Sequence, residues 1–590
     1  MIKVFDVVIN NHVSEFLNVF LKDITEFAAA NEKISDRSGI KDFFGNQGEF
    51  LALKDIVSGE NNSSEAPDRG EYGDFQTNFT LALEITEHLK KNQADPEFII
   101  EPTCGKGTFI IASLNSFKGI KKIFAIEIYK PYVWETKFNI LQFAINNPAV
   151  QKPEIIISHA NVFDFDFNEI ISQCSSGKIL IIGNPPWVTN AGLSILGSNN
   201  LPVKSNFKKH SGLDAITGKG NFDIGEYITL MMLEAFENVN GDFAFLVKNS
   251  VVKNVILDQK QRGYKVSDLR KYNIDSKKEF NVSVEASLFT SKLNTHIEYD
   301  CKEFNFSSNE FLLNNFGWVG DKFVSDIEHY KETNDIDGIS QFEWRQGVKH
   351  DCSAIMEFNK VNGHFTNALS EEFELEEDLV YGMLKSSDLK ETVIDKTRKY
   401  TIITQKKVGQ ETSYIENQFP KTFDYLAANK SRFDVRKSSI YRNKPMFSIF
   451  GIGDYSFKPY KVAISGLYKS FSFNLILPQN NKSIMLDDTC YFIGFDSVEF
   501  AAYTLILLNS KTCKSFLQSI TFSDAKRTFT KDILMRIDLL KLSQTISKDE
   551  IYNEVNELNK NSAVKIEMDL WNEYIKALKA VPADLADQRR

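Results

Sequence analysis

Cysteine is scarce in this chain, with six residues among 590 and none of them paired as CxxC. So few thiols exclude a disulfide scaffold, and the missing CxxC speaks against a zinc site, so no metal is expected. No run of eighteen apolar residues occurs, which leaves no candidate for a membrane-spanning helix. The start, Met1-Ile2-Lys3-Val4-Phe5-Asp6, lacks the pattern of a signal peptide. The expectation is a cytoplasmic protein with reduced thiols and no membrane partner. Internal repeats are missing too. So is any PD…(D/E)xK pattern, and only about seventy residues precede the first glycine-containing motif at Gly70. Cleavage of nucleic acid by this chain is therefore not expected.

Positive charge is also in short supply. The chain has 69 Lys and Arg against 79 Asp and Glu, a net charge of −10. Over the whole chain that balance argues against nucleic acid, but binding depends on where the charges lie. Between Lys396 and Lys444 twelve basic residues (Lys396, Arg398, Lys399, Lys406, Lys407, Lys421, Lys430, Arg432, Arg436, Lys437, Arg442 and Lys444) face four acids (Glu411, Glu416, Asp424 and Asp434). A charge run of this kind is usually a solvated face and alone says little. The hydrophobic content of 42% is ordinary for a globular protein, and the length allows roughly three or four domains.

The most informative stretch is Ile181-Ile182-Gly183-Asn184-Pro185-Pro186-Trp187. It ends an apolar run, Lys178 to Ile182, that reads as a buried strand. The two prolines stop that strand because neither can donate to a sheet ladder. A polar Asn and a flat aromatic thus sit at the carboxyl end of a strand, the edge where open α/β sheets bind ligands. The amino group on a base is a poor nucleophile, because its lone pair is delocalised into the ring. The Asn184 side-chain oxygen and the Pro185 carbonyl can accept both of its N–H bonds, draw the nitrogen toward a tetrahedral shape and free the lone pair. Pro186 stiffens the turn. Trp187 offers a face for stacking, worth roughly 1–3 kcal/mol per base.

Upstream, residues 1–60 read as helices, and Ser58 to Arg69 as a polar linker. Gly70-Glu71-Tyr72-Gly73-Asp74-Phe75-Gln76-Thr77-Asn78 precedes an amphipathic run from Phe79 to Leu89, with Thr77 or Asn78 as its cap. Phe98 to Phe109 reads as a strand, a turn at Gly105 and Gly107, then a helix from about Phe109 to Leu114. This is neither GxxxxGK(S/T) nor a full GxGxxG. The next strand, Lys122 to Ile126, ends in Glu127, where an acid can accept bonds from two ribose hydroxyls. A third strand, Glu154 to Ser158, leads to Asn161, Val162 and Phe163. A glycine turn, an acid one strand later and no pyrophosphate fingerprint suggest a nucleoside without a phosphate chain, a description that S-adenosylmethionine fits.

Beyond Trp187 the polar stretch to Gly220 reads as a long loop near the site. Phe222 to Phe236 reads as a helix, Asp242 to Val247 as a strand, and Glu279 to Val284 as the opening of another strand that runs toward Phe289. The alternation from Glu97 to Thr290 predicts an α/β, mostly parallel, doubly wound sheet. From about residue 300 the pattern becomes irregular and aromatic. Gln341 to Cys352, Tyr468 to Phe471 and Ser523 to Arg527 mix basic residues with aromatics and polar groups, which suits a surface that reads a duplex. Lys548 to Lys579 reads as a closing helix or pair.

In this order the pieces resemble the γ-class N6-adenine DNA methyltransferases of bacterial restriction-modification systems. Asn184-Pro185-Pro186-Trp187 matches that family's (D/N)PP(Y/F/W) motif, Glu101 to Phe109 its cofactor loop, and Gly73 to Asn78 the cofactor motif before it. Asn78 stands where the family often has Pro. Trp344 to Cys352 is similar to the opening of the target-recognition domain in some members. The resemblance runs from Gly70 to about Asp538 and implies a Rossmann-like methyltransferase domain with a mixed α/β C-terminal recognition domain. The implied division is 1–69 as a helical segment and linker, 70–300 as the catalytic domain, 301–542 as the DNA-binding domain and 543–590 as a helical end.

The resemblance also implies roles. Thr77 and Glu101 contact the methionine end of S-adenosylmethionine, and Thr103, Cys104, Gly105, Gly107 and Phe109 form its loop. Glu127 binds the ribose, with Ile128 beside it. Asn161, where the family usually has Asp, accepts from the cofactor's adenine amino group, next to Val162 and Phe163. Asn184, Pro185 and Pro186 activate the target nitrogen, with Asn184 also bordering the cofactor, while Trp187 and Phe280 contact the flipped base. Arg345, Lys349, Lys406, Lys407, Arg436, Lys437, Arg442, Lys526 and Arg527 are the candidate DNA contacts. The implied partners are double-stranded DNA and a separate restriction endonuclease, with the chain a monomer or weak dimer. The absence of a Pro-Cys dipeptide excludes the usual cytosine-C5 nucleophile. Two alternatives stay open on the residues: methylation of RNA or of a protein glutamine, whose amide nitrogen poses the same problem, and a non-catalytic DNA-binding specificity protein.

Overall fold

The structure, a computed structural model, describes residues 2–59, 75–150, 152–188, 223–308, 311–361, 363–522, 527–561 and 565–580. Gly70 to Asp74, the stretch 189–220 and Lys526 lie outside the described residues. The chain forms two compact units, Met1–Phe323 and Val324–Arg590.

The first unit opens with a short hairpin, β1 (Ile2–Val4) and β2 (Val7–Ile9), followed by helices α1 (Asn11–Leu21), α2 (Phe27–Ser38) and α3 (Gln47–Ser58). The hairpin was not anticipated: strands of three residues are too short for a period to show. Next come α4 (Phe79–Lys91), β3 (Phe98–Glu101), α5 (Thr108–Ser116), β4 (Lys122–Glu127), α6 (Lys130–Asn146), β5 (Glu154–His159), α7 (Asn168–Cys174) and β6 (Ile179–Gly183). The unit continues with α8 (Ile224–Phe236), β7 (Gly241–Lys248), α9 (Asn249–Arg262), β8 (Val266–Ile274), α10 (Ser276–Phe280), β9 (Ala286–Leu293), β10 (Asp300–Asn305), β11 (Leu312–Val319) and β12 (Lys322–Val324).

These strands make one ten-stranded sheet in the order β12-β11-β10-β8-β9-β7-β6-β3-β4-β5. Strands β5, β4, β3, β6 and β7 are parallel neighbours, and β9 runs antiparallel between β7 and β8. The α/β, Rossmann-like expectation holds. The chain winds outward from β3 to β5 on one side and from β6 onward on the other, so the order reverses between β3 and β6. Helices cover such a sheet on both faces, which is why β6 is a continuous apolar run rather than an alternating one.

The strand expected from Glu279 is a correction. Residues Ser276–Phe280 are helical: the Asp275 side chain accepts from Lys278 N, and Asn281 closes the turn at φ 55°. The Asp cap and the left-handed Asn override the short Val-Ser-Val alternation, and the strand begins at Ala286.

The N-terminal helices cover the free edge of the sheet. Lys41 N donates to Ile155 O (2.8 Å) and Ile155 N to Gly39 O (2.8 Å), which occupies the outer edge of β5. The same segment holds α6. Lys137 donates to the carbonyls of Asp42 (3.1 Å) and Phe43 (2.7 Å) and sits over the Trp134 ring at 4.8 Å. Burial draws the Lys137 ammonium down to about 8.

The second unit carries two sheets. One pairs Arg345–Gln346, Cys490–Phe495, Tyr460–Ser465, Asn474–Ile476 and Val393–Ile394 in that order. The other pairs Glu372–Phe373, His364–Asn367, Glu357–Val361, Lys399–Ile402, Val380–Leu384 and Met485–Leu486. Helix Val498–Asn509 is buried on nearly every side. Helices Lys548–Asn561 and Trp571–Lys579 form the pair that the polar helical pattern predicts at the end.

Gly39 is the backbone hinge of the edge contact. Its φ is +83°, and a Cβ there would run into the Pro153 carbonyl oxygen. Gly39→Ala should therefore lower stability by about 1–3 kcal/mol, read as a lower denaturant midpoint with an unchanged m-value.

Candidate active site

A cavity opens at the carboxyl ends of β3, β4 and β6, where the strand order reverses. It encloses about 1030 Å³, counting the part open to solvent. Of the residues expected there, Thr77, Glu101, Thr103, Cys104, Gly105, Phe109, Glu127, Ile128, Asn161, Val162, Phe163, Asn184, Pro185, Pro186 and Trp187 all line it. Gly107 and Phe280 do not. Gly107 starts α5 behind the loop, and Phe280 meets the edge of Trp187 (ring centroids 4.9 Å apart, 64° between planes). Phe75, Gln76, Tyr129, Tyr132, Ile224 and Ile228 also line the cavity and were missed. Tyr129 and Tyr132 follow the acid at the end of β4, and Ile224 and Ile228 share one face of α8. Either spacing could have flagged them, but core packing explains both patterns equally well.

The glycine loop is shaped from two sides. Gly105 has φ +51°, and a Cβ on it would lie 2.7 Å from the Gln76 side-chain oxygen. Gly107 has φ +75°, and a Cβ there would lie 2.7 Å from Cγ2 of Thr136. Thr136, on α6, donates its hydroxyl to Gly105 O (2.7 Å), while Gln76 Oε1 accepts from Lys106 N (3.3 Å). The glycines are required by neighbours as much as by any ligand.

Two carboxylates stand at the strand ends. Glu127 accepts from Gly105 N and Tyr129 N, both at 2.8 Å. Glu101 is 2% exposed, and its Oε2 has no hydrogen-bond partner. Burial first, then the charge of Glu127, pushes the Glu101 carboxyl well above the usual carboxylate range, against a lowering bond from the Ile110 backbone. Thr103 Oγ1 is a second buried atom without a partner. Asn161 turns inward on itself: its Oδ1 accepts from Phe163 N (3.1 Å) and its Nδ2 donates to Asp164 (3.0 Å).

Asn184 follows the last residue of β6. Its Nδ2 donates to the Phe75 carbonyl (2.7 Å) and to Thr77 Oγ1 (3.2 Å). Its Oδ1 is buried and unpartnered. The Phe75 carbonyl can only accept, so the atom facing it is the nitrogen and the oxygen is the free end. Trp187 is buried, packs against Phe75 (5.5 Å between centroids) and Phe280, and donates from Nε1 to Leu246 O (3.4 Å). Behind Pro185 and Pro186, Ile224 N donates to Val188 O (2.9 Å). Asp223 there caps α8, with Oδ1 accepting from Gly225 N (2.9 Å), and pairs with Lys248. Asn78, the cap of α4, reaches Glu279 on α10 (2.7 Å).

The expected DNA contacts of the second unit divide into two groups. Arg345 pairs with Glu343 and lies over Tyr455, and Lys349 pairs with Asp351 (3.1 Å). Arg436 donates to His350 O (3.2 Å) and Ser448 O (2.8 Å) and stacks on Tyr441, and Arg527 donates to Asp488 O (2.8 Å). These four are half-buried and spend their donors on neighbours within the second unit. Lys406, Lys407, Lys437 and Arg442 are exposed and enter no ion pair among the described residues.

The residues present suit S-adenosylmethionine. Buried polar atoms are normally partnered, yet Glu101 Oε2, Thr103 Oγ1 and Asn184 Oδ1 are not, and all three residues line one cavity. An ammonium would answer the buried Glu101, ribose hydroxyls would answer Glu127, and Ile128, Val162 and Phe163 would give apolar cover to a purine. No cluster of His, Cys, Asp or Glu suited to a metal exists among the described residues, and no helix among them is long and apolar enough to cross a membrane.

No family model matches the chain. The type II methyltransferase M.NspV of Nostoc sp. (strain ATCC 29411 / PCC 7524) is 39% identical over 479 residues, which are 81% of this chain and 98% of that protein. Among solved structures, the type IIL restriction-modification enzyme MmeI in complex with DNA is similar with a TM-score of 0.51 at 12% identity, covering 92% of this chain and 82% of that one. At that identity the likeness bears on the fold alone.

Glu101 gives a signed expectation. A carboxyl raised in the folded state favours folding while protonated, and that contribution is lost as pH climbs from the ordinary carboxylate range through the raised value. Without cofactor, Glu101→Gln should melt above the wild type by a margin that widens over that rise in pH, while its affinity for S-adenosylmethionine falls. Thermal scans across pH and a binding titration read both, and a margin independent of pH contradicts the assignment.

Proposed function

We propose that this chain, which belongs to the type II methyltransferases of restriction-modification systems, moves a methyl group from S-adenosylmethionine to N6 of an adenine flipped out of duplex DNA. The observation that carries the reading is the Asn184 amide, whose nitrogen is occupied and whose oxygen is left as a buried acceptor at the cavity. Such an acceptor, beside the carbonyl of Pro185, suits an amino group with two hydrogens to give and a lone pair to free. A ring oxygen or a backbone amide would not use both acceptors.

When bound, the cofactor supplies an electrophilic methyl group on a sulfonium. The protein's own work is placement. Glu101 and Thr77 hold the amino-acid end, and Glu127, fixed by two backbone N–H groups, presents its remaining lone pairs to the ribose. Asn184 and Pro185 take the two N–H bonds of the base, and Trp187 supports the ring. Because the amino nitrogen is made nucleophilic by hydrogen bonding alone, no side chain need form a covalent bond to the base, and positioning supplies most of the rate. Flipping the base costs a few kcal/mol, which contacts to the phosphate backbone offset. Lys406, Lys407, Lys437 and Arg442, exposed on the second unit, are proposed for those contacts. A separate restriction endonuclease is proposed as the companion protein.

Asn184→Ala should abolish methylation of duplex DNA while leaving cofactor and DNA binding intact. Mapping the modified base in DNA from cells that express the wild type should find N6-methyladenine, and N4-methylcytosine or no DNA product would overturn the reading. Replacing Lys406, Lys407, Lys437 and Arg442 by Gln, singly, should weaken DNA binding and lower the slope of log K against log salt by roughly one for each lost phosphate contact. The same change at Arg436 or Arg527 should instead lower the melting temperature.

A further inference from the structure

The Asn184 amide could face the cavity with either end, and only one end is useful. We propose that Thr77 is a positioning residue for the methyl-acceptor site: its hydroxyl oxygen, together with the Phe75 carbonyl, fixes the amide so that Oδ1 rather than Nδ2 meets the target amino group. This rests on the reading of the chain as an amino-directed methyltransferase. It goes beyond that reading because Thr77, on resemblance, serves only the methionine end of the cofactor.

The geometry is specific. The amide nitrogen has two hydrogens, and two acceptors are within reach, Phe75 O at 2.7 Å and Thr77 Oγ1 at 3.2 Å. With both hydrogens taken, the amide has nothing left to donate and presents an acceptor alone. Turned over, it would set Oδ1 against the Phe75 carbonyl oxygen, acceptor to acceptor, and would offer a donor to a base that also donates. The carbonyl sets which end faces it. The second bond fixes the plane of the amide, since one bond alone leaves it free to rock about its side-chain torsion. Thr77 is buried, with 8% of its surface exposed. Its oxygen is used by Asn184, and its hydroxyl hydrogen remains to be donated, so serving the amide and serving a ligand in the cavity are compatible.

A second consequence follows from the same carbonyl. The motif resemblance admits Asp or Asn at this position. Here a carboxylate would place an oxygen where Nδ2 now lies, 2.7 Å from Phe75 O, with no hydrogen between them. The backbone of residues 75–77 therefore selects Asn over Asp.

The test uses the full chain, S-adenosylmethionine and a duplex that the wild type methylates. Thr77→Val keeps the shape and removes the acceptor. At saturating cofactor it should lower kcat about tenfold, a loss separate from any weakening of cofactor affinity caused by the same hydroxyl, and Thr77→Ser should restore kcat. Asn184→Asp should bind cofactor and DNA and turn over no faster than Thr77→Val. Wild-type kcat in Thr77→Val at saturating cofactor, a loss confined to cofactor affinity, or wild-type turnover by Asn184→Asp would each overturn the proposal. If the wild type methylates RNA or protein instead of duplex DNA, the DNA reading fails, and the same comparison of variants on that substrate still decides the role of Thr77.

Discussion

A buried amide oxygen without a donor is a standing cost, about 1–3 kcal/mol when nothing replaces the lost water. The fold keeps one at Asn184, and the rest of the site is arranged so that it cannot relax. The nitrogen of the same amide is tied to Phe75 and Thr77. The residues after it are two prolines whose torsions are fixed, and the far end of the turn is tied through Val188 to the start of α8. Relief would require the loss of several hydrogen bonds, so the acceptor stays open at the cavity. In the proposed reaction this is preorganisation: the polar group is oriented during folding and need not be reorganised during the step.

Support for the cofactor side comes from further away. Thr136 on α6 holds the Gly105 carbonyl, and α6 is held by the N-terminal helices through Lys137 and the carbonyls of Asp42 and Phe43. A segment with no chemistry of its own thus helps to define a glycine turn that does have some. It also closes the outer edge of β5, which would otherwise present unpaired backbone groups. Gln76 works from the other side, against Gly105 and Lys106. Residues 75–77 consequently serve both halves of the cavity at once. Gln76 borders the cofactor loop, and its neighbours Phe75 and Thr77 orient the amide.

In the second unit, positive charge alone does not mark a binding surface. Arg436 spends its guanidinium on two carbonyls and a Tyr ring, and Arg527 and Lys349 both answer Asp488. Their charges are partly neutralised and their side chains fixed, which suits a frame. Lys406, Lys407 and Lys437 are exposed outside helices and strands and enter no ion pair among the described residues, so they keep the full charge that the proposed phosphate contacts would draw on.

Much of this was legible in the chain itself. The strand that ends in Asn-Pro-Pro-Trp, the acid after the second strand and the glycine turn are local signals: apolar runs, stop residues and caps depend on neighbours a few positions away. They sufficed to anticipate most of the cavity wall. The helix at Ser276–Phe280 was not foreseen, because a cap at Asp275 outweighs an apolar alternation that is equally local. What only the tertiary structure decided is which atoms meet across long separations. Asn184 finds its two acceptors 109 and 107 residues earlier in the chain, and the order of strands in the sheet is what brings them together. The sequence determined that an amide would stand at the end of a strand. The fold determined which way it points, because orientation is set by partners whose proximity no local pattern encodes.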